Sequence, residues 1–298
     1  MNDDRPIAVG LGEVLWDLLP AGKQLGGAPA NFAFHAQQIG ARGVVVSAVG
    51  RDALGEEIKA RLAQLGLSSN LHLSDLPTGT VSVKLDAAGV PSYVIHQPVA
   101  WDELRDAGNV TAVAAKADVV CFGSLAQRSL ASRATIHAFL AATRRDECLR
   151  VFDINLRQDF YSESVIRESL DLAGVFKLND QELPVVAGLL GLPAEEAKFA
   201  DAILSRLPSL RVIALTRGAK GSALFTRDET NQHPGVPATL ADTVGAGDAF
   251  TATLAIGLLR REPLDRINAA ANRVAAYVCS QHGATPKLPA ALLETLWT

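Results

Sequence analysis

Cysteine is scarce in this 298-residue chain, with only Cys121, Cys148 and Cys279, far apart and odd in number. Each sits in an apolar stretch and is expected to be a buried, inert thiol, which excludes a disulfide framework. No CxxC pair or clustered Cys/His spacing occurs, so a structural zinc site is excluded. The histidines, at positions 35, 72, 96, 137, 233 and 282, show no i, i+4 pairing that would mark a metal site. Aromatic residues make up 5% of the chain. Excess charge is also lacking: the net charge is −4, acids and bases are interspersed, and no single-sign tail appears. Nucleic acid and anionic membranes are therefore excluded as partners. No uncharged apolar run approaches the ~20 residues needed to cross a bilayer. The start, MNDDRPIAVG, lacks a basic segment followed by an apolar one, so a cytoplasmic, reduced protein is expected.

What the chain has is alternation. Ile7 to Leu11, Val44 to Val49, Asp118 to Phe122, Leu149 to Phe152, Val175 to Leu178 and Val212 to Thr216 read as short apolar strands. Between them, Ala30 to Ile39, Leu54 to Leu65 (with Gly66 as a stop) and Leu130 to Ala142 carry apolar residues at helical spacing. Continuous apolar strands alternating with amphipathic helices predict an α/β fold with a mainly parallel sheet covered on both faces. Leu15 to Gln24 and Thr80 to Ile95 break the pattern. Thr80 to Leu85 alternates with period two, and Gly89 and Pro91 supply a turn before Tyr93 to Ile95. These pieces form either a small separate sheet that covers a site or a set of edge strands on the main sheet. With no repeat or long linker, 1–298 is expected to be a single domain, the lid strands coming from about 13–25 and 78–97.

The sharpest segment is Asp242 to Phe250, DTVGAGDAF, followed by an apolar-periodic helix from Ala249 to Leu259. Small residues at Gly245, Ala246 and Gly247 let backbone approach a ligand, and the N–H groups of a starting helix face whatever lies above. Such a site suits the spreading negative charge of a transferring phosphoryl group. Asp248, at the helix start, is placed to accept the proton of an attacking hydroxyl. Read alone, it is equally a carboxylate that satisfies helix-start donors. No GxxxxGK[ST] cradle or protein-kinase motif occurs. Gly10-Leu11-Gly12 has Leu15 where a dinucleotide fingerprint needs a third glycine, which disfavours an oxidoreductase.

DTVGAGDAF together with GGAPAN at Gly26 to Asn31 resembles the ribokinase/PfkB family of carbohydrate kinases. Further matches follow in the family's order. Val49-Gly50-Arg51-Asp52 with Gly55 resembles its first signature, and Asp153-Ile154-Asn155-Leu156-Arg157 the D-x-N-x-R segment of its fructokinases. Asn179 to Glu182 resembles N-x-x-E, and Thr216-Arg217-Gly218 with Gly221 resembles T-x-G-x-x-G. The resemblance implies a ribokinase-like three-layer α/β/α domain with a small β-sheet lid, and an ATP-dependent sugar kinase.

It also implies site residues. Asp248 is the catalytic base, with the Gly245, Ala246 and Gly247 backbone and Arg157 steadying the transferring phosphate. Asp17, Gly26, Gly27 and Asn31 bind the sugar. Asn179, Thr216, Gly218, Gly221, Asn272 and Gly283 surround the nucleotide. Glu182 organises Mg²⁺, acting through water because magnesium keeps most of its waters. Some relatives hold K⁺ at the position of Asp242, with the Val244 carbonyl nearby; a buried structural Asp242 is the other reading. Trp101 reads as an apolar anchor, and His96 receives no catalytic role. GEVLWDLLP, GGAPANFA and DINLR are most similar to fructokinases, which implies D-fructose going to fructose 6-phosphate. The alternatives are 2-keto-3-deoxygluconate, ribose or a nucleoside as acceptor, and, in a different class, a non-catalytic sugar or nucleotide sensor. Relatives often pair through the lid, so a homodimer is expected.

Overall fold

The computed structural model describes residues 4–19, 22–85, 91–106, 110–144 and 147–298. Thirteen strands occur among them: β1 (Ile7–Leu11), β2 (Leu15–Leu19), β3 (Gly22–Gly26), β4 (Arg42–Gly50), β5 (Ser68–Ser74), β6 (Thr80–Leu85), β7 (Pro91–Ile95), β8 (Val119–Phe122), β9 (Leu149–Asp153), β10 (Val175–Asn179), β11 (Val212–Thr216), β12 (Ser222–Phe225) and β13 (Thr230–His233). The helices are α1 (Ala28–Gln38), α2 (Ala53–Gln64), α3 (Val110–Ala114), α4 (Leu130–Ala142), α5 (Glu163–Leu172), α6 (Glu182–Leu190), α7 (Glu196–Arg206), α8 (Ala246–Leu259), α9 (Leu264–Cys279) and α10 (Ala290–Glu294).

Nine strands form one sheet in the order β13-β12-β11-β10-β9-β8-β1-β4-β5. All neighbours from β11 to β5 are parallel, and only β12 runs against the rest, pairing antiparallel with both β11 and β13. The near-continuous apolar strands are explained by two cores. In β10, Phe176 and Leu178 enter the core shared with α4 to α7, while Val175 points to the opposite core beneath α1, α8 and α9. Phe122, Phe152 and Phe176 stack across β8, β9 and β10, with ring centroids 5.3 and 5.6 Å apart. From β1 the chain first builds the sheet towards β5 and then returns to build outward from β8. The order therefore reverses between β1 and β8, and ligands of such sheets bind at the carboxyl ends of strands flanking this reversal.

The four remaining strands settle the open question about the lid. They form a separate sheet, β3-β2-β6-β7. The turn expected at Gly89 lies outside the described residues. Asp52 joins the lid to the main domain, accepting from Gly55 N at the start of α2 and from Thr78 N (2.8 Å each) just before β6. A second tie follows β7. Arg128 Nε and Nη2 grip Asp102 at 2.7 and 2.8 Å, and Nη2 also donates to the His96 carbonyl oxygen at 2.9 Å. The guanidinium lies between rings, 3.9 Å from the Trp101 centroid and 4.5 Å from that of Phe160. Trp101 is fully buried. Cys121 and Cys148 are buried as expected, but Cys279 is half-buried. Burial raises all three thiols above their usual range, Cys148 to about 11, which keeps them protonated and unreactive.

Breaking a buried ion pair from one side strands the other charge. Asp102→Ala is expected to lower unfolding stability by about 3–5 kcal/mol, measured by denaturant titration.

Candidate active site

The candidate cleft is the place where the start of α8 meets the carboxyl ends of β9 and β10, through Thr251 with Asp153 and Gly247 with Lys177, and the start of α1 through Asn31. Gly245 precedes the helix in the left-handed region (φ 79°) and packs so closely that a Cβ there would come within 2.5 Å of the Ala284 carbonyl oxygen. That turn aims the first N–H groups of α8 into the cleft. Asp248 lies in this first turn, where Asn31 Nδ2 of α1 donates to its Oδ2 at 2.8 Å. Burial pushes the Asp248 carboxyl up to about 6. Asp153 adds to the shift, while the Asn31 hydrogen bond, Lys177 and Arg157 oppose it. A carboxylate in this state is ionised at neutral pH yet basic enough to take a hydroxyl proton. Asn31 thus holds Asp248 directly, a role the sequence did not reveal.

Asp17 hangs from the lid strand β2. Its carboxylate fits because residue 26, diagonal to it in the β2–β3 pair and opposite Leu15, is glycine: a Cβ there would stand 2.3 Å from Asp17 Oδ2. Gly27 has φ 109° and lets the chain pass within contact of Glu13 before α1 begins. Burial raises Asp17 to about 6, with Arg157 opposing. Arg157 itself is exposed and donates to its own Leu156 carbonyl at 3.0 Å. Its charge acts on Asp17, Asp248 and Glu13, favouring the ionised form of each. The loop that presents it turns through Asn155 and Gln158, both at positive φ (46° and 49°).

The residues matched to the nucleotide divide into two groups. Asn179 and Glu182 form a reciprocal cap: Asn179 Oδ1 accepts from Glu182 N at 2.9 Å, and Glu182 Oε2 accepts from Asn179 N at 2.8 Å. Glu182 Oε1 accepts from Leu156 N at 2.8 Å, so one carboxylate staples the loops after β9 and β10. Thr216, at the end of β11, leads into the turn of Gly218 and Gly221, both at positive φ. Gly283 N donates to Asp242 Oδ2 at 3.1 Å, and Val244 N to Oδ1 at 3.0 Å, so Asp242 ties its own loop to the one after α9. Asn272 Nδ2 donates to Ser222 Oγ (2.7 Å) and the Asn268 carbonyl (2.8 Å), and the residue is 7% exposed, which fixes α9 against β12.

Sequence reasoning passed over Glu13, Lys177, Asp153 and His35. His35, fully buried four residues along α1 from Asn31, donates from Nε2 to the Ala284 carbonyl at 2.9 Å; burial lowers it to about 4, so it is neutral. Glu13 follows β1, is 4% exposed, and its Oε2 has no hydrogen-bond partner. Burial pushes it up to about 7, Asp248 adding to the shift and Arg157 opposing. Its only sequence signal was an acid set among apolar residues next to a glycine. Among the described residues, no group of three His, Cys, Asp or Glu side chains is close enough to hold a metal ion.

The folded state holds the Glu13 proton to higher pH than the unfolded chain. Stability contributed by this group is therefore full below pH 4.5 and lost as pH rises to about 7. Glu13→Gln is expected to be more stable than the parent at about pH 8, by on the order of 3 kcal/mol, the two converging in acid. Thermal or urea unfolding across pH reads this directly.

The sequence profile described as pfkB family carbohydrate kinase matches residues 21–291. A fructokinase of Klebsiella pneumoniae is 30% identical over 295 residues, covering 93% of this chain and 92% of its own. Among solved structures, a sugar kinase from Pyrococcus horikoshii in complex with ATP superposes with a TM-score of 0.78 at 28% identity, covering 94% of each chain. The fructokinase of Vibrio cholerae O395, in its fructose-, ADP- and calcium-bound form, shares the fold across 100% of both chains, with a TM-score of 0.80 at 24% identity. A profile match over nearly the whole chain, on a ribokinase-like fold with its separate small sheet, means that the protein belongs to the pfkB family of carbohydrate kinases and is a sugar kinase.

Proposed function

We propose that this sugar kinase transfers the γ-phosphate of ATP to a hydroxyl of D-fructose, giving fructose 6-phosphate. The observation that carries the reading is the Asp248 carboxylate, held by Asn31 in the first turn of α8 where the helix N–H groups open into the cleft. Asp17 in the lid accepts sugar hydroxyls, since one carboxylate takes hydrogen bonds from two neighbours. With the sugar seated between them, Asp248 takes the hydroxyl proton as its oxygen meets the γ-phosphorus. The Gly245, Ala246 and Gly247 backbone stabilises the charge on the transferring group, and Arg157 adds its planar cation. Closure of the lid excludes water as a competing acceptor. The choice of fructose is supported by the Klebsiella pneumoniae fructokinase and by the Vibrio cholerae neighbour with fructose and ADP.

The nucleotide lies along Asn179, Thr216, Gly218, Gly221 and Gly283 at the strand ends. Mg²⁺ fits an indirect site here: both Glu182 oxygens already accept backbone N–H groups, leaving the buried charge to order metal-bound waters. When bound, the ion neutralises phosphate charge. The same reading extends to K⁺ beside Asp242, where the two loops join.

ADP production from MgATP against fructose, 2-keto-3-deoxygluconate, ribose and nucleosides tests the proposal. Fructose turnover that falls at least ~10³-fold in Asp248→Asn supports it. Turnover of another acceptor replaces the substrate and keeps the mechanism; ATP binding without any turnover favours a sensor. Asp248 and Asp17 both ionise at about 6 and both act as carboxylates, so kcat/KM is expected to fall as pH drops through that value.

A further inference from the structure

Behind the glycine turn lies a buried pair of charges to which the mechanism above gives no task. Asp153 ends β9, and Lys177 stands opposite it in register on β10. Lys177 Nζ donates to Asp153 Oδ1 at 3.1 Å, and the two side chains are only 7% and 4% exposed. Thr251 of α8, fully buried, places its hydroxyl 2.7 Å from Asp153 Oδ2 and 2.9 Å from the Gly247 carbonyl oxygen. A Cβ built on Gly247 would lie 3.3 Å from Lys177 Nζ, so the ammonium packs directly against the backbone of the turn that faces the cleft.

Burying two ions is costly, and well-packed apolar side chains of similar volume would hold two strands at least as firmly. The neighbouring positions use such side chains: Phe152, Phe176 and Leu178 are all apolar and buried. The charge pair occurs only where the strands end under the first turn of α8. Asp153 has both oxygens engaged, one by Lys177 and one by Thr251, so the ammonium cannot swing away from Gly247. A positive charge fixed in a poorly hydrated space acts on nearby developing charge far more strongly than one in water.

We propose that Lys177 is a positioning residue for phosphoryl transfer, its ammonium locked by Asp153 and Thr251 behind Gly247 so that the start of α8 meets the transferring group with a permanent positive charge at its back. This rests on the reading of Asp248 as base and of Gly245 to Gly247 as the anion-binding turn. Lys177 touches no substrate; it acts through the backbone that does. The charged groups facing Asp248 are Asp153 from β9, Lys177 from β10, Arg157 from the loop after β9 and Glu13 from the loop after β1, with the neutral Asn31 amide from α1. Asp153 favours the protonated form of Asp248, and Lys177 favours the ionised form. Neutralising the two members of one ion pair should thus move the base in opposite directions, which a simple loss of packing does not do.

The test compares Lys177→Met, Asp153→Asn and the double variant with the parent, measuring kcat, KM and thermal midpoint across pH. Lys177→Met is expected to lower kcat by roughly 10- to 100-fold, with the sugar KM nearly unchanged and the acidic limb moved to higher pH. Asp153→Asn moves that limb to lower pH. The double variant no longer buries an unpaired charge, so it recovers the thermal midpoint without recovering kcat; it also carries the test if Lys177→Met does not fold. Parent-like kcat in Lys177→Met, or kcat restored with stability in the double variant, overturns the proposal and leaves a structural pair. A parent protein inert towards every acceptor overturns the kinase reading and the transfer role with it. Carboxyl ¹³C titration, with Asp248 identified by the resonance lost in Asp248→Asn, separates the two failures: opposite displacements in the single variants preserve the electrostatic coupling, and their absence removes it.

Discussion

Carboxylates converge on the first turn of α8 from four directions, and like charges in a poorly hydrated space repel. Asp248, Asp153, Glu13 and Glu182 all lie within this region, facing two cations, Lys177 and Arg157. The raised carboxyl pKa values of Glu13, Asp248 and Glu182 express the imbalance, with burial the first cause in each and repulsion between neighbouring acids adding to it. Hydrogen bonds then decide which acid stays useful. Asn31 donates to Asp248 and keeps it mostly ionised, whereas the Glu13 Oε2 oxygen has no donor and holds its proton longer. A site so charged by itself also favours the arrival of a cation with the nucleotide.

This crowding explains the glycines at the site, because charged groups sit where a side chain would otherwise be. Asp17 Oδ2 occupies the space of a Cβ on Gly26, and Lys177 Nζ borders that of one on Gly247. His35 and Asp242 add to the framework by tying α1 and the Asp242 loop to residues 283 and 284, which back the Gly245 turn. The lid rests on a different support, the stacked Arg128 and its Asp102 partner, at a distance from the reacting atoms.

The strands called from apolar runs were found within a residue or two of their expected limits, because a strand buried on both faces must be apolar throughout. Leu130 to Ala142 and Val212 to Thr216 matched their structural bounds. β12, β13 and β5 escaped notice, since each lies at or near a sheet edge where mixed polarity is tolerated. α8 begins at Ala246, three residues before the apolar pattern that marked it, because glycine and alanine in its first turn leave no periodic signal. Asn272 shows a related limit of pattern reading: an amide on an amphipathic helix looks the same in sequence whether it faces a ligand or, as its Nδ2 does here, Ser222.

The sequence by itself determined the α/β architecture and the glycine turn before α8, which follow from local rules: strand and helix periodicity, and the conformations that only glycine adopts readily. Asp248 was legible from the same rules only as an acid at a helix start, and Asp17 only through the family resemblance. Only the tertiary structure decided that the lid is a separate sheet, that Asn31 grips Asp248, and that Glu13, Asp153 and Lys177 share one electrostatic environment. Residues 13, 31, 153, 177 and 248 meet because β1, β9 and β10 end, and α1 and α8 begin, at the same end of the sheet's central strands. Charge coupling depends on distance through space and on excluded water, and neither quantity is written in the order of residues along the chain.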